Sequence, residues 1–406
     1  MATATKGKHD SLMLARLGAE DPAEATIANA FFAKRFRQGG WSWLEGLLSS
    51  GADTEPVARG RLLLASREYP KAWELAEPLG EDTERAFWAD FSPYGLGADF
   101  ARVGFAARKL LDFGRPATSL RLLELYIRKD AEDSDGLALL VADGLDALLE
   151  VNNASGLDAL EGLSQHSFDQ FFGFLEAHRD AVGADRVARL EWAFLGALGY
   201  DPDVPMLHEE LAANPEFFVQ VISALYKEAS ADSPGEPSEE AKRVAENGFR
   251  LLSSWSIVPG TDGEGELDED RLRAWIAEAR RLLEAAGRLA VGEGQIGRVL
   301  ASGGWDAEDR WPSEPVRNLL EELQSKKVEE GLWIETYNSR GVVSRSLDAG
   351  GEQEIEIAEK YERWATEFQD RWPRTASVLR DLGKSYRADA KRHDAEAEER
   401  RRGFDL

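Results

Sequence analysis

Apolar residues recur every three to four positions along nearly the whole chain, the period of a helix that buries one face. Leu272, Trp275, Ile276, Ala279, Leu282 and Leu283 form one such stripe, with Asp268 placed as its N-cap and Gly287 as its stop. At Asn214-Pro215 a capping side chain precedes a proline suited to the first helical position. Phe217, Phe218, Val221, Ile222 and Leu225 follow as the predicted buried face. A third stripe, Ile357, Tyr361, Trp364, Ala365 and Phe368, stops at Trp372-Pro373 and restarts with Ala376, Leu379, Leu382 and Tyr386. From Ala388 onward the composition is charged, which predicts an exposed helical tail that frays. Strand signals are scarce. The best is Gly331–Ser346, whose loose alternation predicts a short β-hairpin turning at Asn338–Gly341.

The N-terminal half repeats itself weakly. Leu63, Leu64, Ala72, Trp73, Leu75 and Ala76 align with Leu110, Leu111, Ser119, Leu120, Leu122 and Leu123 at an offset of 47, each set reading as helix, tight turn, helix. The prolines of the two turns, Pro70 and Pro116, stand one place out of register. A helix pair of this size cannot bury its apolar face alone, so neighbours must stack on it. The expected fold is therefore all-α, with helical hairpins stacked as a HEAT- or TPR-like α-solenoid. The alternative is an irregular bundle in which two hairpins are similar by chance. Ala229–Ser238 is small, polar and proline-bearing, and Pro259–Leu267 is glycine-rich and acidic. The expected organisation is a helical-repeat region over 1–228, a connecting segment with one helix near Glu239–Ser254 over 229–267, and a helical region over 268–406.

Composition narrows the function. The chain has no cysteine, so a disulfide framework, a thiolate metal site and a cysteine nucleophile are all excluded. Its polar start resembles no signal peptide, and no run approaches the roughly 18 apolar residues of a membrane span, so the expectation is a cytoplasmic protein without membrane contact. With 75 acidic against 49 basic residues, net charge −26, the surface repels nucleic acid and anionic lipid.

No motif requires catalysis. Gly292–Gly297 matches G-x-G-x-x-G, but a helix rather than a strand precedes it, so it reads as helix-breaking glycines between two helices and not as a dinucleotide site. Asp262, Glu264, Glu266, Asp268 and Asp270 alternate like a calcium loop, yet Leu267 and Arg273 stand where Gly and Glu are needed. An acidic turn leading into a helix N-terminus is the simpler reading. His9, His166, His178, His208 and His393 lack metal-ligand spacing, and neither a P-loop nor a G-x-S-x-G elbow occurs. No catalytic, cofactor-binding or metal residue is assigned. Twelve Trp and eighteen Phe are many for a helical chain. Most are expected in the core. Trp305 and Trp311 lie among Asp306, Glu308 and Asp309 where no helix is evident, which makes them the candidate partner-binding residues.

Phe91–Gly97, Leu110–Tyr126, Asn214–Lys227, Gly248–Gly260 and Tyr337–Ala365 together resemble the C-terminal helical region of very long, largely uncharacterised bacterial proteins, over roughly residues 85 to 400. The resemblance implies a defence or signalling setting in which a helical part senses a partner and a separate module acts. This chain shows no such module, so it would be a detached sensor or work with a separately encoded effector. The resulting expectation is a non-enzymatic scaffold that binds another protein. Its rivals are an enzyme or nucleotide binder whose site is assembled from distant helices, and an acidic mimic of nucleic acid that fills a basic cleft.

Overall fold

The computed structural model describes residues 4–19, 21–50, 54–92, 96, 99–127, 134–155, 162–199, 203–226, 238–340 and 350–404. Among these residues the chain is all-α, with no strand and a single isolated bridge between Thr261 and Leu267. It divides into two compact units, Met1–Ala193 and Phe194–Leu406.

Unit 1 contains α1 (Ala4–Leu17), α2 (Pro22–Ser50), α3 (Pro56–Leu64), α4 (Lys71–Ala76), α5 (Glu81–Asp90), α6 (Phe100–Asp112), α7 (Pro116–Glu124), α8 (Ser134–Ser155), α9 (Gln165–Ala177), α10 (Arg179–Val182) and α11, which is Ala184–Phe194. The two sequence repeats are α3–α4 and α6–α7, each a helix, a tight turn and a second helix. Leu63, Ala72, Trp73 and Ala76 are buried in one, Leu110, Ser119, Leu120, Leu122 and Leu123 in the other. The copies differ in their neighbours: α6 packs chiefly on α7, but α3 packs chiefly on α5. Gly60 explains the difference, because a Cβ there would stand 2.6 Å from the Phe87 backbone nitrogen. Only glycine lets α3 and α5 approach this closely. Tyr69, Trp73, Phe87, Trp88 and Phe91 fill the space between these helices as one aromatic cluster.

Unit 2 contains α12 (Pro205–Ala213), α13 (Pro215–Leu225), α14 (Glu239–Ser254), α15 (Glu269–Ala285), α16 (Leu289–Leu300), α17 (Glu314–Leu323), α18 (Lys326–Asn338), α19 (Glu352–Phe368) and α20 (Pro373–Phe404). The predicted caps are in place: Asn214 accepts from the Phe217 amide at 3.2 Å and Asp268 from the Arg271 amide at 2.9 Å. Phe218 on α13 meets Trp255 and Trp275 with ring centroids 5.5 and 5.2 Å apart, which joins α13, α15 and the end of α14. Ala229–Gly235 and the rest of 227–237 lie outside the described residues; Ser238 caps α14.

Three expectations are corrected here. Gly331–Asn338 is not a hairpin strand but the second half of α18, whose buried residues Val328, Gly331, Leu332 and Thr336 keep helical spacing. The remainder of that segment, 341–349, lies outside the described residues. Gly292–Gly297 does not break a helix; it sits inside α16. A Cβ on Gly297 would meet the Val328 carbonyl oxygen at 2.0 Å, and one on Gly331 the Gly294 carbonyl oxygen at 2.1 Å, so these glycines let α16 and α18 pack backbone to backbone. The charged tail does not separate at Ala388: α20 continues, burying Asp389, Ala390 and Ala397. Its Asp394 accepts from the Gly351 amide at 2.8 Å, and a Cβ on Gly351 would collide with Ala390.

Candidate functional site

The segment between α16 and α17, Ala301–Ser313, carries both candidate tryptophans on a loop that braces itself. Asp306 organises it. Its Oδ1 accepts from the amides of Glu308 and Arg310 at 3.1 and 2.8 Å, which is the turn chemistry that a short acidic side chain favours. Its Oδ2 accepts from Arg310 Nε at 2.9 Å and Arg317 Nη2 at 2.8 Å. Burial is the largest influence on the Asp306 carboxyl and pushes its pKa upward. Hydrogen bonds from Arg317 and from the Arg310 amide and side chain outweigh it, so the pKa lies below its ordinary 3.8. Arg317 is fully buried, with its guanidinium 4.4 Å from the ring centroids of both Phe368 and Trp372. Ser313 Oγ donates to the Gly303 carbonyl at 2.5 Å and closes the loop from the far end.

The two tryptophans have different fates. Trp311 is buried and its Nε1 donates to the Ala301 carbonyl at 3.1 Å, so it is a wall of the loop and not a free anchor. Trp305 is 51% exposed. Both line one recess of ≈ 400 Å³ together with Ala301, Ser302 and Gly304, Thr336, Ser339 and Arg340 at the end of α18, Ile357, Lys360 and Tyr361 on α19, and Tyr386 on α20. Tyr361 and Tyr386 stack at 5.8 Å, and Tyr337 lies 5.4 Å from Tyr386 behind them. Burial pushes the phenols of Tyr361 and Tyr386 above their ordinary value, so near neutral pH they are neutral hydrogen-bond donors rather than bases.

Among the described residues the recess is lined by two cations and by no carboxylate. Arg340 pairs at 2.6 Å with Glu354, a fully buried side chain behind it. Lys360 Nζ stands 4.5 Å over the Trp305 ring and 4.7 Å over the Trp364 ring. Among the described residues no carboxylate comes within ion-pair distance of it. Sequence reasoning reached Trp305, Trp311, Tyr361 and Tyr386, the last two only as core residues, and missed Lys360 and Arg340.

Unit 1 has a recess of ≈ 580 Å³ between α1, α2, α3 and α5, lined by residues including Arg61, Arg67, Tyr69 and Asp90. Arg61 donates there to the carbonyls of Leu17 and Ala19 at 2.8 and 3.1 Å and pairs with Asp90 at 2.5 Å. It is a clamp on the end of α1. Two acids of 262–270 serve the backbone: Asp262 Oδ1 accepts from the amides of Glu264 and Glu266, and Asp268 caps α15. His208 Nε2 lies 3.1 Å from Ser254 Oγ, but that hydroxyl also bonds to the Arg250 and Leu251 carbonyls of its own helix, and neither residue lines the recesses described above. Among the described residues no three His, Asp or Glu side chains converge as metal ligands would. Among the described residues no helix is long and apolar enough to cross a membrane.

What the fold and recess define is a helical protein with an aromatic, cation-bearing concavity. Compared with known protein families, curated proteins and solved structures, the chain matches none.

Proposed function

We propose that this chain is a non-enzymatic helical scaffold that binds another protein, and that the partner docks over Trp305. The observation that carries the reading is the state of that indole: half exposed, on a loop fixed by Asp306 and Arg317, at the mouth of an aromatic recess. Rigid exposed tryptophans beside a cavity are the usual energetic centres of protein interfaces, since they bury a large area and lose little entropy on binding. The helix pairs α3–α4 and α6–α7 and the close packing of α16 on α18 and of α19 on α20 are what support a stacked, solenoid-like scaffold. The resemblance of the five strings quoted above supports a place in a bacterial defence or signalling system.

The test begins with co-purification from the native cell and identification of the partner. Titration of the purified partner against the parent and Trp305→Ala proteins then decides. Affinity should fall by about 30-fold or more, the size of a hot-spot loss. Equal affinity would remove the recess from the interface.

A further inference from the structure

We infer that the recess beside Trp305 receives the carboxyl-terminal residue of the partner, with its carboxylate on Lys360 and a large aromatic or aliphatic side chain against the indole. The inference rests on the docking reading above and specifies its chemistry.

Charge is the first support. In a chain with 26 more acids than bases, a concavity whose described lining holds two cations and no carboxylate runs against the composition. Arg340 pairs with Glu354, which leaves Lys360 as the lining cation with no carboxylate in ion-pair range among the described residues. A cation held over ring faces keeps its field on the open side, because the ring quadrupoles stabilise it without donating a counter-charge. One open positive charge matches one carboxylate. It is a poor match for a nucleotide di- or triphosphate, which this acidic chain would also repel at longer range.

Shape is the second. A recess of ≈ 400 Å³ lies near the lower end of the range of about 300–1,000 Å³ typical of small-ligand sites, room for one large side chain but not for a docked helix. Trp305 and Tyr361 supply flat apolar walls, and the Ser302 hydroxyl and the neutral Tyr361 phenol supply donors beside the cation. A chain terminus fits these demands in a way an internal acidic residue does not. Its carboxylate and its side chain leave the same Cα, so both enter one small concavity end-on.

The test titrates the whole chain with acetyl-Gly-Ser-Gly-Phe carrying a free carboxyl terminus, with the same peptide amidated, and with indole-3-acetate, following tryptophan fluorescence and calorimetry. The free-acid peptide should bind about tenfold or more tightly than the amide, the value of one charge-assisted contact. That ratio should fall to about one in Lys360→Met and be kept in Lys360→Arg, with both variants melting like the parent. Equal binding of acid and amide overturns the inference. So does binding of indole-3-acetate without the peptide acid, which would assign the site to a free small acid. If Trp305→Ala weakens the purified partner but no peptide acid binds, the inference fails while the docking reading stands. If the peptide acid binds through Lys360 but the partner ignores Trp305→Ala and competes with no peptide, the docking reading fails and the terminal-residue assignment falls with it.

Discussion

The two units each carry a recess walled by tyrosine and basic side chains, and they differ in whether an acid stands among the described lining residues. In unit 1, Arg61 holds two backbone carbonyls and Asp90, and Asp90 itself lines the recess. In unit 2, no acid lines the recess among the described residues, and the Lys360 ammonium lies over two aromatic rings. The first concavity is larger, at ≈ 580 against ≈ 400 Å³, yet it is the poorer candidate. Volume records where helices fail to meet. Uncompensated charge beside a half-exposed indole records a surface not yet satisfied by the chain's own atoms.

The comparison breaks most severely if the loop beneath Trp305 is not as rigid as its hydrogen bonds imply. Asp306→Ala should cost about 3–5 kcal/mol in urea unfolding, because it strands the buried Arg317 charge. Arg317→Met added to Asp306→Ala should recover much of the loss, since both members of the buried pair are then gone. The same pair sets an acid limit. The folded pKa of Asp306 is depressed, so its stabilisation is complete above the ordinary carboxylate range and is lost as pH falls through the folded value, below 3.8. Asp306→Asn should flatten that acid limb in a pH series of melts.

The core positions are of equal or smaller size. Phe218→Ala should destabilise by about 3–5 kcal/mol, as a fully buried ring packed on Trp255 and Trp275. Gly297→Ala should cost about 1–3 kcal/mol or more, since the added methyl overlaps the Val328 carbonyl and backbone must shift. Arg61→Ala in unit 1 should cost about 1–3 kcal/mol by releasing the carbonyls of Leu17 and Ala19, and should leave partner affinity unchanged. Reduced affinity in that variant would move the recognition surface to the unit 1 recess.

How much of this was legible in the sequence depends on the range of the interaction. Period, caps and stops are local, so the stripe from Leu272 to Leu283, the cap at Asn214 and the break at Trp372-Pro373 could be read directly. The glycines of α16 were misread because their reason lies on another helix: Gly297 and Gly331 are 34 positions apart, and only together do they show a close crossing. The tail from Ala388 was misread for the same cause, since Ala390 is small to fit Gly351 and not because it faces water. Trp305 and Trp311 stand in one loop and looked alike; tertiary contacts alone made one a wall and left the other open. Lys360 belonged to an apolar stripe as its polar exception, and nothing local says that an ammonium on α19 will lie over an indole from the α16–α17 loop.

The smallest expected effect on stability sharpens the comparison most. Trp305→Ala should melt within about 0.5–1 kcal/mol of the parent, because the change removes a half-exposed ring, its edge contact with Trp364 at 5.5 Å and one exposed cation–π pair. Lys360 keeps its second ring, Trp364, so its charge stays in place and the recess floor remains. A chain that needed this indole for folding would lose several kcal/mol, as is expected of Phe218→Ala. An unfolding curve that matches the parent, with lost partner affinity, separates a residue kept for contact from one kept for packing. A large loss of stability would make Trp305 another core tryptophan and leave the unit 2 recess without its defining feature.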